Sequence, residues 1–254
     1  MTQYVRFIFI IGSCVALFGS CGNEKKETPP SQNPPRVENQ KPSKLHCTVL
    51  FSGIAPKMNM IKMNADTKCL KLHTQPVYFQ NTMVNDKGLL QNVFVYIKDG
   101  LTGKAYPVPN KPVVIDQQGC MYHPHVFGIQ VNQPLRIENS DPVLHNIHAI
   151  PKINKGFNIA QPLKGMKSDV AFTVPEIMVR VKCDVHSWMG CYIGVLDHPF
   201  YAVTDSNGAC DITGLPPGEY QVSAWHEELG SVEQKVSVKE GIVENIEFTF
   251  AAKK

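Results

Sequence analysis

Long hydrophobic runs are nearly absent from this chain. Its one apolar stretch of note, Phe7 to Phe18, has about twelve residues, well short of the roughly 20 that a helix needs to cross a bilayer. Charge of one sign is also scarce, with 25 Lys and Arg set against 22 Asp and Glu. Arg6 belongs to the apolar leader, and residues 22–44 carry five cations against three anions, so residues 45–254 hold no net charge. No basic run is interleaved with aromatic side chains, which removes the usual electrostatic footprint of nucleic acid binding. Nucleophile elbow, His-Glu-x-x-His and Gly-rich phosphate loop are all missing, so hydrolase and nucleotide chemistry have no candidate residues. Haem attachment is excluded in the same way, because Cys-x-x-Cys-His does not occur.

What the N-terminus does contain is a short charged start, the apolar run, and Gly19-Ser20-Cys21. This order resembles a bacterial lipoprotein signal, which implies that residues 1–20 are removed and that Cys21 carries the lipid. Export to the periplasmic or cell-surface side of a membrane follows as an expectation. Residues 21–44, with Thr28-Pro29-Pro30-Ser31-Gln32-Asn33-Pro34-Pro35, read as a Pro-rich linker with almost nothing to bury.

From Leu45 the chain reads as short strands broken by Gly, Pro and Asn turns, with little helical periodicity. Cys47 to Phe51, Val93 to Ile97, Val113 to Asp116, Val126 to Val131, Leu135 to Asn139, Ala171 to Val174 and Val179 to Cys183 are the segments expected to be strands. Such spacing predicts an all-β fold built of sandwiches.

Eight cysteines are present, and Cys14 and Cys21 lie in the leader and at its end. Cys183 is distinguished by its neighbours. Cys183-Asp184-Val185-His186-Ser187-Trp188-Met189 places a thiolate, an imidazole and a thioether within one turn-length of chain. Soft sulfur with imidazole selects copper, and Met189 would be a poor ligand for zinc, the competing metal. A second imidazole is needed, and His145 in Asn139-Ser140-Asp141-Pro142-Val143-Leu144-His145-Asn146-Ile147-His148 can supply it from a loop after a strand. His148 follows by three residues, so strand alternation turns it to the other face.

These two segments resemble the cupredoxins, and the short ligand loop is similar to that of amicyanin. The resemblance covers about residues 113–195 and implies one type 1 copper per chain. It makes His145, Cys183 and His186 equatorial ligands and Met189 the axial one, with Asn146 tying the two ligand loops together by hydrogen bonds. It also implies that an exposed edge of His186, ringed by apolar residues such as Trp188 and Pro142, passes the electron.

A second resemblance lies further on. Asp205-Ser206-Asn207-Gly208 and Leu215-Pro216-Pro217-Gly218, between strand-like runs, are similar to the turns of the carboxypeptidase-regulatory-like, transthyretin-type modules. The expected architecture is therefore a cupredoxin-like Greek-key sandwich over residues 45–195, with an N-terminal extension. A small transthyretin-like β-lobe over residues 196–254 follows it, and residues 45–110 are a candidate to complete that lobe.

Five cysteines remain in the folded part, an odd number, so one thiol stays unpaired or pairs between chains. Cys69 with Cys120 is the first choice for a disulfide, since both stand in polar, turn-rich contexts, although spacing does not encode connectivity. Cys191 is a candidate to pack beneath the metal. Met58, Met60 and Met63 form a thioether cluster that suits Cu(I), but core packing is the preferred reading. His123 and His125 near Cys120, with His73 near Cys69, are read as ordinary strand histidines rather than a second site. His198 and His226 have no evident partners in the sequence.

The expected function is that of a lipid-anchored blue copper protein, not an enzyme, which carries single electrons between redox proteins. Copper handling, as carrier or sensor, is the alternative, with a cell-surface binding module holding structural copper as a third.

Overall fold

The computed structural model describes residues 43–252, apart from Thr102 and Lys104. The leader, Cys21 and nearly all of the linker lie outside the described residues. The regular structure is nearly all β. In chain order the strands are β1 (Ser43–Ser52), β2 (Phe94–Asp99), β3 (Val113–Gln118), β4 (Met121–His123), β5 (Val126–Gln130) and β6 (Leu135–Asn139). Next come β7 (His145–Ile150), β8 (Phe157–Gln161), β9 (Lys167–Val170), β10 (Glu176–Lys182) and β11 (Gly190–Leu196). The series ends with β12 (Tyr201–Val203), β13 (Ala209–Leu215), β14 (Gly218–His226), β15 (Gly230–Val238) and β16 (Val243–Ala251), and a single helix, α1 (Thr67–Lys71), stands between β1 and β2.

Side-chain alternation decides how these strands stack. In β1, Leu45, Cys47, Val49 and Phe51 are buried while Lys44, His46 and Thr48 are only half-buried, the pattern of a strand with one face on a core. Each large apolar side chain so buried contributes about 1.5–3 kcal/mol. β1 is the middle strand of a three-stranded sheet, antiparallel to β13 and parallel to β16. That sheet packs on a four-stranded one, β12-β2-β14-β15, through Val49, Phe51, Val95, Ile97, Val222 and Phe248. Together they make an outer sandwich.

An inner sandwich comprises β5-β11-β10-β7-β8 facing β4-β3-β6-β9. Ile115, Ile129, Ile137, Ile147, Val181 and Ile193 fill its core. All of its strands lie between β2 and β12 in sequence, so it is an insertion in the outer sandwich. The order differs from two consecutive lobes because β1 and β2 find their hydrogen-bonding partners in β12 to β16 rather than in the strands that directly follow them.

Close packing joins the two sandwiches. β2 reads Phe94-Val95-Tyr96-Ile97, buried on both faces: Val95 and Ile97 enter the outer core, Phe94 and Tyr96 a small cluster with Val126 and Leu196 of the inner sandwich. Gly128 and Gly194, directly paired on β5 and β11, make this contact possible. A Cβ on Gly194 would stand 2.3 Å from Phe94 Cζ, and one on Gly128 2.2 Å from Tyr201 Cε2.

Residues 53–92 form a strap that leaves the outer sandwich and returns to it. On the way Ile61, Met63 and Cys69 enter the inner core. Asp66 caps α1, its Oδ1 accepting from the Lys68 amide at 2.8 Å. Farther along, His73 Nε2 pairs with Gly119 O at 2.7 Å.

One expected strand is absent. Residues 171–174 are irregular because Asn154 Oδ1 takes the amides of Thr173 and Val174, at 2.9 and 3.1 Å, and the Phe172 carbonyl accepts from Asn132 N. Phe172 is nonetheless buried, which explains the misleading apolar alternation.

Candidate metal centre

The ligand loop joins β10 to β11 and closes on itself. Met189 N donates to His186 O at 2.9 Å, Cys183 N donates to Met189 O at 3.2 Å, and the His186 amide points at Cys183 Sγ, 3.4 Å away. Cys183, His186 and Met189 are thereby turned inward together, each at most 2% exposed. His145, fully buried, arrives as the first residue of β7 rather than from a loop.

His145 Nδ1 and His186 Nδ1 lie 3.0 Å apart, and Cys183 Sγ is 3.9 Å from His186 Nδ1. One donor atom from each of these three side chains falls within 4.8 Å of the other two. Three donors at metal bond lengths of about 2.0–2.3 Å in a trigonal array stand ~3.6 Å apart. The observed separations bracket that value, so the residues fit a trigonal metal, and a thiolate with two imidazoles suits copper. Met189 lies buried on the same loop.

Each imidazole turns its remaining nitrogen to a carboxylate, the arrangement that orients metal-bound histidines. His145 Nε2 meets Asp141 Oδ2 at 2.9 Å, and His186 Nε2 meets Asp66 Oδ2 at 3.1 Å. Asp141 is held in turn by the amides of Gly119 and Cys120, at 2.8 and 2.7 Å. Asn146 Oδ1 accepts from the Asp184 amide at 2.7 Å and lies 3.2 Å from Cys183 Sγ, so it bridges the two ligand segments. The Tyr122 hydroxyl fastens the backbone at Asn146, donating to its carbonyl at 2.5 Å.

These contacts set the protonation states. Burial alone would raise the Cys183 thiol, but hydrogen bonds from His145 and His186 outweigh it and bring it down to about 5. For His145, burial works against the charged form while Asp141 and Cys183 favour it, and the balance is upward. Asp66 is lowered, first by His186 and then by the Lys68 amide. A thiolate at neutral pH is the form that binds metal.

Cys69 and Cys120 form a disulfide beside this centre, with Cys69 Sγ 3.4 Å from His186 Nε2. The expectation of an exposed His186 edge is corrected here. His186 is 2% exposed, because the strap lays Asp66 and Cys69 over the ring edge that would otherwise face solvent. Of the two residues expected to ring it, Pro142 is exposed, whereas Trp188 is half-buried with its ring centroid 5.1 Å from that of His186. Trp188 Nε1 donates to Cys120 O at 3.0 Å, and a cleft of about 390 Å³ reaches Cys183, Trp188, Met189 and Tyr192 from outside.

The other candidates have separate employment. His148 pairs with Asp184 at 3.0 Å. His125 binds Glu227 and the Gly190 carbonyl, and His123 is exposed. His198 Nε2 meets Ile97 O, and His226 Nδ1 faces the amides of Glu228 and Leu229. Met58 and Met60 are exposed while Met63 is buried, so the three thioethers do not share one environment. Cys191 is buried and free, in the inner core.

The roles of Asp66, Asp141 and Tyr122 emerge only in the fold. Asp141 stands in the segment that supplies His145, and Asp66 opens the Asp66-Thr67-Lys68-Cys69 turn, an N-cap signal.

No protein-family model matches the chain, and no curated protein matches it. Among solved structures it is similar to a copper-containing nitrite reductase from Thermus scotoductus SA-01, at 20% identity over 40% of this chain and 26% of that one, with a TM-score of 0.31. It is also similar to a reduced amicyanin variant, at 17% identity over 38% of this chain and 96% of that one, with a TM-score of 0.30. A purple cupredoxin from Nitrosopumilus maritimus is 24% identical over 32% of this chain and 97% of that one, with a TM-score of 0.28. At such scores the case for a metal centre rests on the donor geometry itself.

Proposed function

We propose that this chain is an exported, lipid-anchored type 1 copper protein that carries single electrons between redox proteins and catalyses no reaction of its own. The convergence of His145 Nδ1, His186 Nδ1 and Cys183 Sγ in a buried site supports this reading above all else. Copper held there would supply a one-electron couple. The protein's part is to fix the donors: Asp141 and Asp66 orient the imidazoles, the self-closed loop places Cys183, and burial excludes water from the sulfur.

Since the strap covers His186, the electron leaves through Trp188, whose ring touches His186 on one side and the cleft on the other. The inner sandwich is thus the cupredoxin-like part, and the outer one, transthyretin-like in its turns, is a rigid support. Cys21 provides the membrane attachment. Among the described residues no helix is long and apolar enough to cross a membrane.

A redox titration of the copper-loaded chain tests the proposal. One reversible electron per chain, with copper retained in both states, is the expected result; release of copper on reduction would support copper handling instead. Mass spectrometry of the mature N-terminus tests the anchor, and an unmodified chain beginning elsewhere than Cys21 would remove it.

A further inference from the structure

The far edges of both ligand imidazoles meet the same object, the Cys69–Cys120 disulfide. Cys69, Cys120 and His186 each bring a donor atom within 4.8 Å of the others, and so do Cys120, Asp141 and His145. Both half-cystines are fully buried. On this side His186 offers Nε2, since its Nδ1 faces Cys183 and His145. One imidazole therefore stands between two sets of sulfur donors, one of which is masked by the S–S bond.

We propose that reduction of the Cys69–Cys120 disulfide unmasks a second metal site, in which two thiolates and His186 Nε2 bind Cu(I). A dithiol reductant of the kind that serves exported proteins supplies the step. Its two sulfurs form a new S–S bond as the Cys69–Cys120 bond breaks, and two electrons and two protons pass to Cys69 and Cys120. Cu(I) then replaces the two thiol protons, which leave to solvent; the Nε2 proton of His186 leaves by way of the Asp66 carboxylate while Nδ1, free when the inner centre is empty, takes one up, and the copper undergoes no change of oxidation state. Soft thiolates select monovalent copper, and one imidazole completes a three-coordinate site. Asp66 already holds Nε2 at 3.1 Å, so the ring is oriented toward this side before any metal arrives.

The position gives the site a use. The strap seals the buried centre, and among the groupings of the described residues His186 is the donor that stands with both sulfurs of the strap junction, whereas His145 stands with Cys120 alone. Copper bound at Cys69 and Cys120 lies one imidazole width from the inner site. The choice of copper rests on the function proposed above; the existence of a two-thiolate site does not.

Anaerobic Cu(I) titration of the full chain against a competing chelator tests the inference. Cys183→Ser is the informative background, because it removes the inner thiolate and leaves Cys69 and Cys120 in place. Reduced Cys183→Ser is expected to bind one more Cu(I) per chain than oxidised Cys183→Ser, and to lose it when Cys69→Ser and Cys120→Ser are added. The buried thiols Cys47, Cys191 and Cys210 remain in every variant and define the background. Equal binding by the reduced variants with and without Cys69 and Cys120 would overturn the proposal. A measurement on the unaltered chain needs no folding of variants: Cu(I) should protect Cys69 and Cys120 of the reduced protein from alkylation, read by peptide mass spectrometry. Equal labelling with and without Cu(I) would refute the site even if the inner centre binds copper, and protection would uphold it even if the inner centre does not.

Discussion

Asp66 does two things with two oxygens, and substitutions separate them. Oδ1 caps α1 through the Lys68 amide, and Oδ2 takes His186 Nε2 at 3.1 Å. Asparagine caps as well as aspartate does, but its second polar group is an NH₂ that cannot accept from an imidazole N–H. Asp66→Asn therefore keeps the cap and removes the partner that orients a metal-bound histidine, a loss of about 10–100-fold in metal affinity. That is about 1.4–2.7 kcal/mol. Asp66→Ala loses the same affinity and, in addition, about 1 kcal/mol of fold stability for the missing cap. Both variants share the cost of an unpaired buried N–H, so the stability difference between them isolates the cap. Chelator competition gives the copper affinity, and urea unfolding of the metal-free protein gives the stability. Wild-type copper affinity in Asp66→Asn would refute the role of Asp66 at the centre.

Other expectations are independent of this one. Gly194→Ala should destabilise the fold by about 1–3 kcal/mol in urea unfolding, because its Cβ would overlap the buried Phe94 ring. Gly190→Ala is the control, since its Cβ would meet only ordinary contact at 3.7 Å, and equal stability of the two variants would contradict the close approach of the sandwiches. Ultraviolet thiolate absorbance of the metal-free protein, corrected with Cys183→Ser, should titrate with a midpoint of about 5. The ordinary thiol value of about 8.5 would contradict the imidazole contacts. Met189→Leu should retain copper and raise the reduction potential, since a weak axial donor favours Cu(II); unchanged voltammetry would remove Met189 from the ligand set.

The parts legible in the sequence were local ones. Cys183, His186 and Met189 share a single loop, so their spacing alone displays a donor set, and His145 sits in a segment rich in the polar residues that hold such loops. β1 and β6 show the alternation of half-buried strands directly. What escaped was non-local. Asp66 reaches His186 across 120 residues, and nothing in either segment names the other. Insertion of one sandwich into another, which the completion of the second lobe by residues 45–110 already allowed beside the preferred order of two consecutive lobes, depends on β1 pairing with β16 from the opposite end of the chain, which strand patterns leave undetermined. The same strap explains why His186 is covered: a resemblance limited to residues 113–195 takes no account of the chain before it. Residues 171–174 misled for a different reason, as an Asn154 side chain replaced the strand partner that their apolar pattern suggested.

The visible absorption spectrum of the Cu(II)-loaded protein tests the central claim most directly, that Cys183 and the two imidazoles hold one copper. An intense thiolate-to-copper band is expected from the wild type and from His148→Ala, and its loss from Cys183→Ser with the fold retained. A wild type without the band, or a Cys183→Ser variant that keeps it, would contradict the assignment of the centre.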